Sequence, residues 1–136
     1  MHQQPTIAET RDAFCWAIPE YYNIGVDICD RPAATAPDSP AIIAVAADRR
    51  SVVHTFADLR RMSNQLANAL TGHVPQGSRV AVLLPQCVET AVAHIAITKM
   101  GGISLPLFTL FGPDALLHRL RDSAASAVIT NADGAA

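Results

Sequence analysis

Short apolar runs alternate with segments of helical periodicity between residues 40 and 130, and this alternation constrains the fold more than any other feature. The apolar runs predict strands at 41–45, 51–54, 79–84, 104–107 and 127–130. A polar turn separates the first two, which predicts a hairpin. Helical patterns separate the later ones, and strands joined through helices form right-handed crossovers into a parallel sheet. We therefore expect an α/β fold, with a mainly parallel sheet and helices on both faces.

The helical segments have recognisable ends. Thr55 and Asp58 form a capping-box pattern, Gly72 is a natural stop, and Pro113 suits the first position of the last helix. The residues predicted to face inward are Phe56, Leu59, Met62, Leu66 and Leu70 in the first helix, Val88, Ala91, Val92, Ile95 and Ala96 in the second, and Leu116, Leu117 and Leu120 in the third.

The predicted organisation has two parts, an amino-terminal arm with short helices at 1–39 and an α/β subdomain at 40–136. In the arm, Asn23 is expected to cap a short helix that Pro32 ends or bends. The last predicted strand stops at 130, where the next crossover would begin. We therefore expect an incomplete amino-terminal subdomain of a larger enzyme, and its open sheet edge predicts self-association.

Charge and hydropathy exclude several classes of partner. The formal net charge is −2 and the basic residues are scattered, which argues against nucleic acid. Lys99 is the only lysine, and the other basic residues are arginines. No apolar run approaches the roughly 18 to 20 residues of a membrane helix, and the first residues lack the basic segment of a secretory signal. We expect a cytoplasmic protein with no membrane span.

Few residues have the spacing that chemistry requires. A phosphate-binding loop needs glycine between a strand and a helix, but residues 84–87 contain none and 109–113 have one glycine and no lysine. The histidines and the three cysteines lack metal-site spacing, and reduced, mostly buried thiols are expected. Cys87 opens a predicted helix, where a thiol can become reactive. The sequence predicts no catalytic, cofactor-binding or metal-binding residue.

Several segments occur in a characteristic order, namely residues 54–59, 63–70, 77–85, 96–107 and 119–130. Together they closely resemble the amino-terminal region of AMP-forming acyl-CoA synthetases, in the adenylate-forming superfamily. Residues 22–31 and 111–116 are similar to the acetyl-CoA and medium-chain acyl-CoA synthetase branch. Ser78 departs from the family, which usually has an acid at that position.

The resemblance implies a two-step ligase. A carboxylate attacks the α-phosphate of ATP to give an acyl-adenylate and pyrophosphate, and the thiol of coenzyme A then displaces AMP. ATP, Mg²⁺ and coenzyme A are expected for the full-length parent and none for this chain, because the phosphate loop, the nucleotide-holding motifs and the carboxy-terminal lysine of the family have no counterpart here. Lys99 matches neither functional lysine. The expected partner is the missing carboxy-terminal remainder, and the chain alone is expected to be inactive.

The resemblance also implies a lining role for the segment 106–112, which leaves the carboxyl end of a strand, where α/β proteins place their ligands. Phe108, Leu110, Phe111 and Gly112 are the predicted pocket-lining residues. The alternative is that Phe108 and Phe111 cover the core. For the whole chain, the alternative is a free-standing α/β interaction module that lacks ligase chemistry and binds a partner through its sheet edge.

Overall fold

The computed structural model describes residues 6–135 and contains two sheets. Strands β1 (Pro40–Val45) and β2 (Ser51–Thr55) form the antiparallel hairpin that was predicted. Strands β3 (Arg79–Leu83), β4 (Ile103–Pro106) and β5 (Ala127–Thr130) form a parallel sheet in the order β4-β3-β5. Because β3 is central, β4 and β5 each keep one edge without a strand partner in the part of the chain that the structure describes.

Five α-helices and two shorter helical turns accompany these strands. Their bounds are α1 Ile7–Ala13, a π-helix Val26–Asp30 that continues into α2 Arg31–Thr35, α3 Phe56–Thr71, α4 Val88–Lys99, α5 Pro113–Asp122 and a 3₁₀ turn Asp133–Ala135. Among residues 6–135, no helix combines the length and the apolar character needed to cross a bilayer.

The first turn of α3 is fixed by the capping box that the sequence predicts. The Thr55 hydroxyl accepts a hydrogen bond from the Asp58 backbone N–H at 3.2 Å, and the Asp58 carboxylate accepts from the Thr55 N–H at 3.2 Å. The Thr55 hydroxyl also donates to this carboxylate at 3.0 Å. These bonds hold the pKa of Asp58 below its ordinary value, because they stabilise the ionised form. Gly72 follows as the C-cap.

Helices cover both faces of the parallel sheet, as predicted. Successive side chains of a strand point to opposite faces, so Val80 and Val82 pack against α3 and α4, while Ala81 and Leu83 pack against the α5 side. The residues that meet Val80 and Val82 are Ala67, Leu70, Ala93, Ala96 and Ile97. The core therefore has two layers, and the thicker one lies on the side of α3 and α4.

The structure corrects two burial predictions. Leu117 is 46% exposed, because Leu116 and Leu120 occupy the sheet-facing side of α5 and Leu117 lies one residue, about 100°, around the helix. In α4, Ala93 and Ile97 are also fully buried. A single stripe was expected there, but α4 packs against the sheet on one side and against α3 and residue Cys29 on others.

The arm divides at Asn23. Side chains from residue 6 to 22 are exposed, whereas the helix that begins after Asn23 packs on α3 and α4. The Asn23 side-chain oxygen accepts from the Val26 N–H at 3.1 Å, which confirms the predicted cap. Of the two expected effects of Pro32, ending or bending the helix, the first does not occur. The turn before this proline is widened into the π-helix, and Pro32 then sits in the first turn of α2, where its missing N–H is tolerated.

Candidate functional site

The three parallel strands end together at the carboxyl edge of the sheet, with Leu83, Pro106 and Thr130 as their last residues. This edge is where open α/β sheets place ligands. The segment 106–112 leaves β4 there and reaches α5. A cleft lies on each side of this segment, and we refer to them as the first and the second cleft.

The first cleft has a volume of about 390 Å³ and lies between the segment 106–112, α5 and residues 131–134. Its apolar wall contains Leu83, Phe111 and Leu116. Asn131 and Asp133 also line it, and Asp133 is its one acidic side chain. The cleft therefore combines an apolar surface with hydrogen-bonding groups, the usual composition of a small-molecule site.

The second cleft, of about 280 Å³, lies between the amino-terminal half of α4 and the same segment. Thr90 and His94, four residues apart on α4, line one side, and Phe108 and Leu110 line the other. His94 Nδ1 lies 2.6 Å from the Ser104 hydroxyl oxygen of β4, which fixes the imidazole ring beside the cleft. None of the side chains that line this cleft is acidic, lysine or arginine.

The wall between the clefts is braced by aromatic contacts. The rings of Phe108 and Phe111 meet edge to face with centroids 5.8 Å apart. The Arg119 guanidinium carbon lies 4.0 Å from the Phe111 ring centroid, a distance at which the cation is attracted to the ring face. These contacts join the segment 106–112 to α5, while Leu107 of the same segment is buried against Ala81 and Leu83.

The structure places three of the four predicted lining residues in the two clefts. Phe111 lines the first cleft, and Phe108 and Leu110 line the second. Gly112 is the N-cap of α5 and lines neither. Phe108 is 69% exposed and Leu110 is 91% exposed, so Phe108 does not cover the core. A pocket-lining role for this group remains a prediction.

Other residues of this edge were not identified from the sequence. His94 and Ser104 come together only through the packing of α4 on β4, and Thr90 joins His94 only because α4 turns both toward the segment 106–112. The i, i+4 spacing of Thr90 and His94 was the one available signal. For Asn131 and Asp133, no pattern in the sequence marked them.

The cysteines differ from the expectation of mostly buried thiols. Cys29 is buried, but Cys15 and Cys87 are exposed. Cys87 is the N-cap of α4, and its sulfur lies 3.4 Å from the Thr90 hydroxyl oxygen. Cys87 is exposed because an N-cap residue lies before the part of the helix that packs against the core.

The two turns that lead from a strand into α4 and into α5 lack the glycine pattern of a phosphate-binding loop. The turn after β3 contains no glycine, and Gly112 is followed by Pro113, which has no backbone N–H to donate. Within residues 6–135, no three side chains of His, Cys, Asp or Glu are grouped closely enough to hold a metal ion.

The fold is that of an α/β protein with a parallel sheet, and two clefts lie at the carboxyl edge of that sheet. The family model of AMP-binding enzymes matches residues 29–136, which is most of the chain. The chain belongs to the AMP-binding enzyme family.

Relatives of this chain are acyl-CoA and acetyl-CoA synthetases. The acetyl-coenzyme A synthetase of Halorhodospira halophila is 36% identical over 114 residues, which cover 82% of this chain and 18% of that protein. The human mitochondrial acyl-coenzyme A synthetase ACSM3 is 30% identical over 125 residues, which cover 87% of this chain and 21% of that protein. The crystal structure of Brucella canis acyl-CoA synthetase matches with a TM-score of 0.80 and 32% identity, over 97% of this chain and 24% of that one.

The chain therefore spans about a fifth of the length of the curated relatives it matches. The matched part is their amino-terminal portion, which agrees with the α/β subdomain that was expected.

Proposed function

We propose that this chain is the amino-terminal part of an AMP-forming acyl-CoA ligase and that it has no ligase activity alone. The observation that carries the proposal is the match of 97% of the chain to 24% of a solved acyl-CoA synthetase. Its two clefts lie at the sheet edge where such a fold binds ligands. A cytoplasmic location is part of the proposal.

In this proposal, ATP, Mg²⁺ and coenzyme A are ligands of the longer enzyme, and the remainder of that enzyme is the partner of this chain. Together they supply acyl-adenylate formation and thioester formation. The part of the chain described above contributes the parallel sheet and an apolar wall made of the exposed Phe108 and Leu110 and the half-buried Phe111, with Gly112 as the N-cap of α5. Covering this wall would keep water from a reactive adenylate.

Acyl-dependent exchange of pyrophosphate into ATP tests the claim of inactivity. The Halorhodospira halophila acetyl-coenzyme A synthetase serves as the positive control, with acetate and medium-chain carboxylates as substrates. We expect exchange by the relative and none by this chain at the same molar concentration. Carboxylate-dependent exchange by the purified chain would show that it has an active site of its own.

The alternative of an interaction module is favoured by one observation: within residues 6–135, both edges of the parallel sheet are without a strand partner. Exposed apolar side chains accompany these edges, with Ile103 52% and Val128 42% exposed. Both proposals predict self-association of the isolated chain. Light scattering should show a mass that rises with concentration, and less so in an Ile103→Lys, Val128→Lys double variant. A constant monomer mass would contradict the prediction.

The coding sequence beyond residue 136 separates the two proposals. A Ser/Thr/Gly-rich loop that ends in lysine, encoded in frame downstream, is expected for the ligase. An in-frame stop codon directly after residue 136 would favour the interaction module.

A further inference from the structure

The only lysine of the chain is buried at the carboxyl end of α4. The Lys99 side chain is 6% exposed, and its ammonium group donates to Asp30 Oδ1 at 2.6 Å, to Ser63 Oγ at 2.9 Å and to Asn64 Oδ1 at 2.7 Å. These acceptors come from the helical segment before α2 and from α3. One ammonium ion thus joins three helical elements.

The geometry explains why this position is lysine in a chain whose other basic residues are arginine. Three oxygen atoms from three residues converge on a single nitrogen, which matches the three donors of an ammonium group and not the planar fork of a guanidinium. The stem of the side chain is equally confined. A Cβ atom on Gly25 would lie 2.7 Å from Lys99 Cγ, so backbone packs directly against the stem.

Residues 23–35, here called the strap, contribute mostly small side chains to the buried contact with the body. Its buried members are the small residues Gly25, Cys29 and Ala33, whereas the larger Ile24 and Ile28 are 53% and 50% exposed. Burial of small side chains removes little apolar area from water. The strap therefore contributes few large apolar side chains to its own attachment, and its polar contacts take a large share in holding it.

Those polar contacts are concentrated at the end of α4. Asp30 binds the Lys99 ammonium, and the Asn23 side chain donates to the carbonyl oxygens of Thr98 and Lys99 at 3.0 and 3.1 Å. The π-helix brings two consecutive residues to the ammonium, because Cys29 Sγ also lies 3.7 Å from Nζ. Arg60 approaches Asp30 at 3.8 Å but is half exposed, so it is a weaker second cation.

We propose that the Lys99 ammonium group is a latch for the strap. The strap stays closed while this group occupies the site formed by its three oxygen acceptors, and it opens as a unit when the group leaves that site. Opening uncovers the side chains of Leu59, Val92 and Ile95, against which Cys29 packs. Local opening of a contiguous segment below the global unfolding free energy is an established behaviour of proteins. The latch does not depend on the proposed ligase function.

Hydrogen exchange measured by mass spectrometry tests the latch in the full chain. In Lys99→Met, protection of the strap amides should fall at least about tenfold while protection of β3 stays within about twofold. Lys99→Arg should behave like Lys99→Met, since the guanidinium does not fit the three acceptors. Arg60→Met is the matched control at the rim of the same site, and it should leave the strap within about twofold of the wild type.

Unchanged strap protection in Lys99→Met would overturn the proposal. If Lys99→Met loses protection in strap and sheet together, the milder Asp30→Asn variant decides. Loss confined to the strap in Asp30→Asn supports the latch, and joint loss or no loss overturns it.

Chemical rescue tests whether the site is specific for an ammonium ion. Lys99→Ala lacks the atoms of n-propylammonium, so this ion should restore strap protection in a saturable manner. Tetramethylammonium at the same ionic strength has no N–H donor and should not restore it. Equal responses to the two ions, or no response to either, would overturn the assignment of an ammonium site.

Discussion

The two ends of α4 are built in opposite ways. At its carboxyl end, Lys99 is enclosed and every donor of its ammonium group has an acceptor. At its amino-terminal half, Thr90 and His94 line an open cleft opposite the exposed side chains of Phe108 and Leu110. Buried polar groups that are fully paired rigidify a structure, whereas exposed apolar groups beside polar ones are typical of surfaces that bind. One helix therefore joins the scaffold to the candidate site.

The largest stability effect should come from the closed end. Ile97 is fully buried between the sheet and α3, so Ile97→Ala should lower the free energy of unfolding by about 2–5 kcal/mol through lost burial and a residual cavity. Urea unfolding followed by circular dichroism measures this. Leu117→Ala, at a half-exposed position of α5, is the control, and an equal loss in the two variants would contradict the packing described here.

The Asn23 cap should give an intermediate effect. Asn23→Ala removes the cap of the strap helix and both contacts to the last carbonyl groups of α4, which should lower the free energy of unfolding by about 1–2 kcal/mol. Asn68→Ala, at an exposed position of α3, is the matched control. A thermal melt in which Asn23→Ala and Asn68→Ala coincide with the wild type would show that the strap is not held at this point.

Acid should weaken the amino terminus of α3, the helix that supplies Ser63 and Asn64 to the latch. The folded-state pKa of Asp58 is lowered, so its capping contribution is complete above the ordinary pKa of about 3.9 and is lost as pH falls through the folded value. The difference in melting temperature between wild type and Asp58→Asn should therefore be largest near pH 7 and shrink below about pH 4. A difference independent of pH would contradict the capping role of the charge.

The smallest stability effect should come from the open end. Leu110 is 91% exposed, so Leu110→Ala should change the free energy of unfolding by less than about 0.5 kcal/mol. Urea unfolding under the conditions used for Ile97→Ala gives a direct contrast between the two regions. A loss comparable to that of Ile97→Ala would show that Leu110 belongs to the core.

Local signals in the sequence predicted much of the fold. The capping box at Thr55, the stop at Gly72 and the strand at 127–130 depend on neighbouring residues, and the structure confirms each. Predictions failed where tertiary packing decides, since the exposure of Leu117 and the burial of Ile97 depend on which elements cover each helix face.

The two ends of α4 also differ in how far the local sequence predicts them. The sequence marked the segment 106–112 through its place after a strand, but it assigned Lys99 only to the end of a helix. The partners of Lys99 lie 35 to 69 positions away along the chain. No local pattern brings residues at such separations together, although the presence of a single lysine among arginines was a signal in hindsight.

A chimeric enzyme tests the central claim most directly. The part of this chain that aligns with the Halorhodospira halophila acetyl-coenzyme A synthetase, 82% of its length, would replace the matching region of that enzyme. Acetate-dependent exchange of pyrophosphate into ATP would then be measured. We expect exchange well above the background without acetate, because this chain supplies the scaffold and the lining wall while the relative supplies the rest. A chimera that is folded by circular dichroism and shows no acetate-dependent exchange would contradict the account.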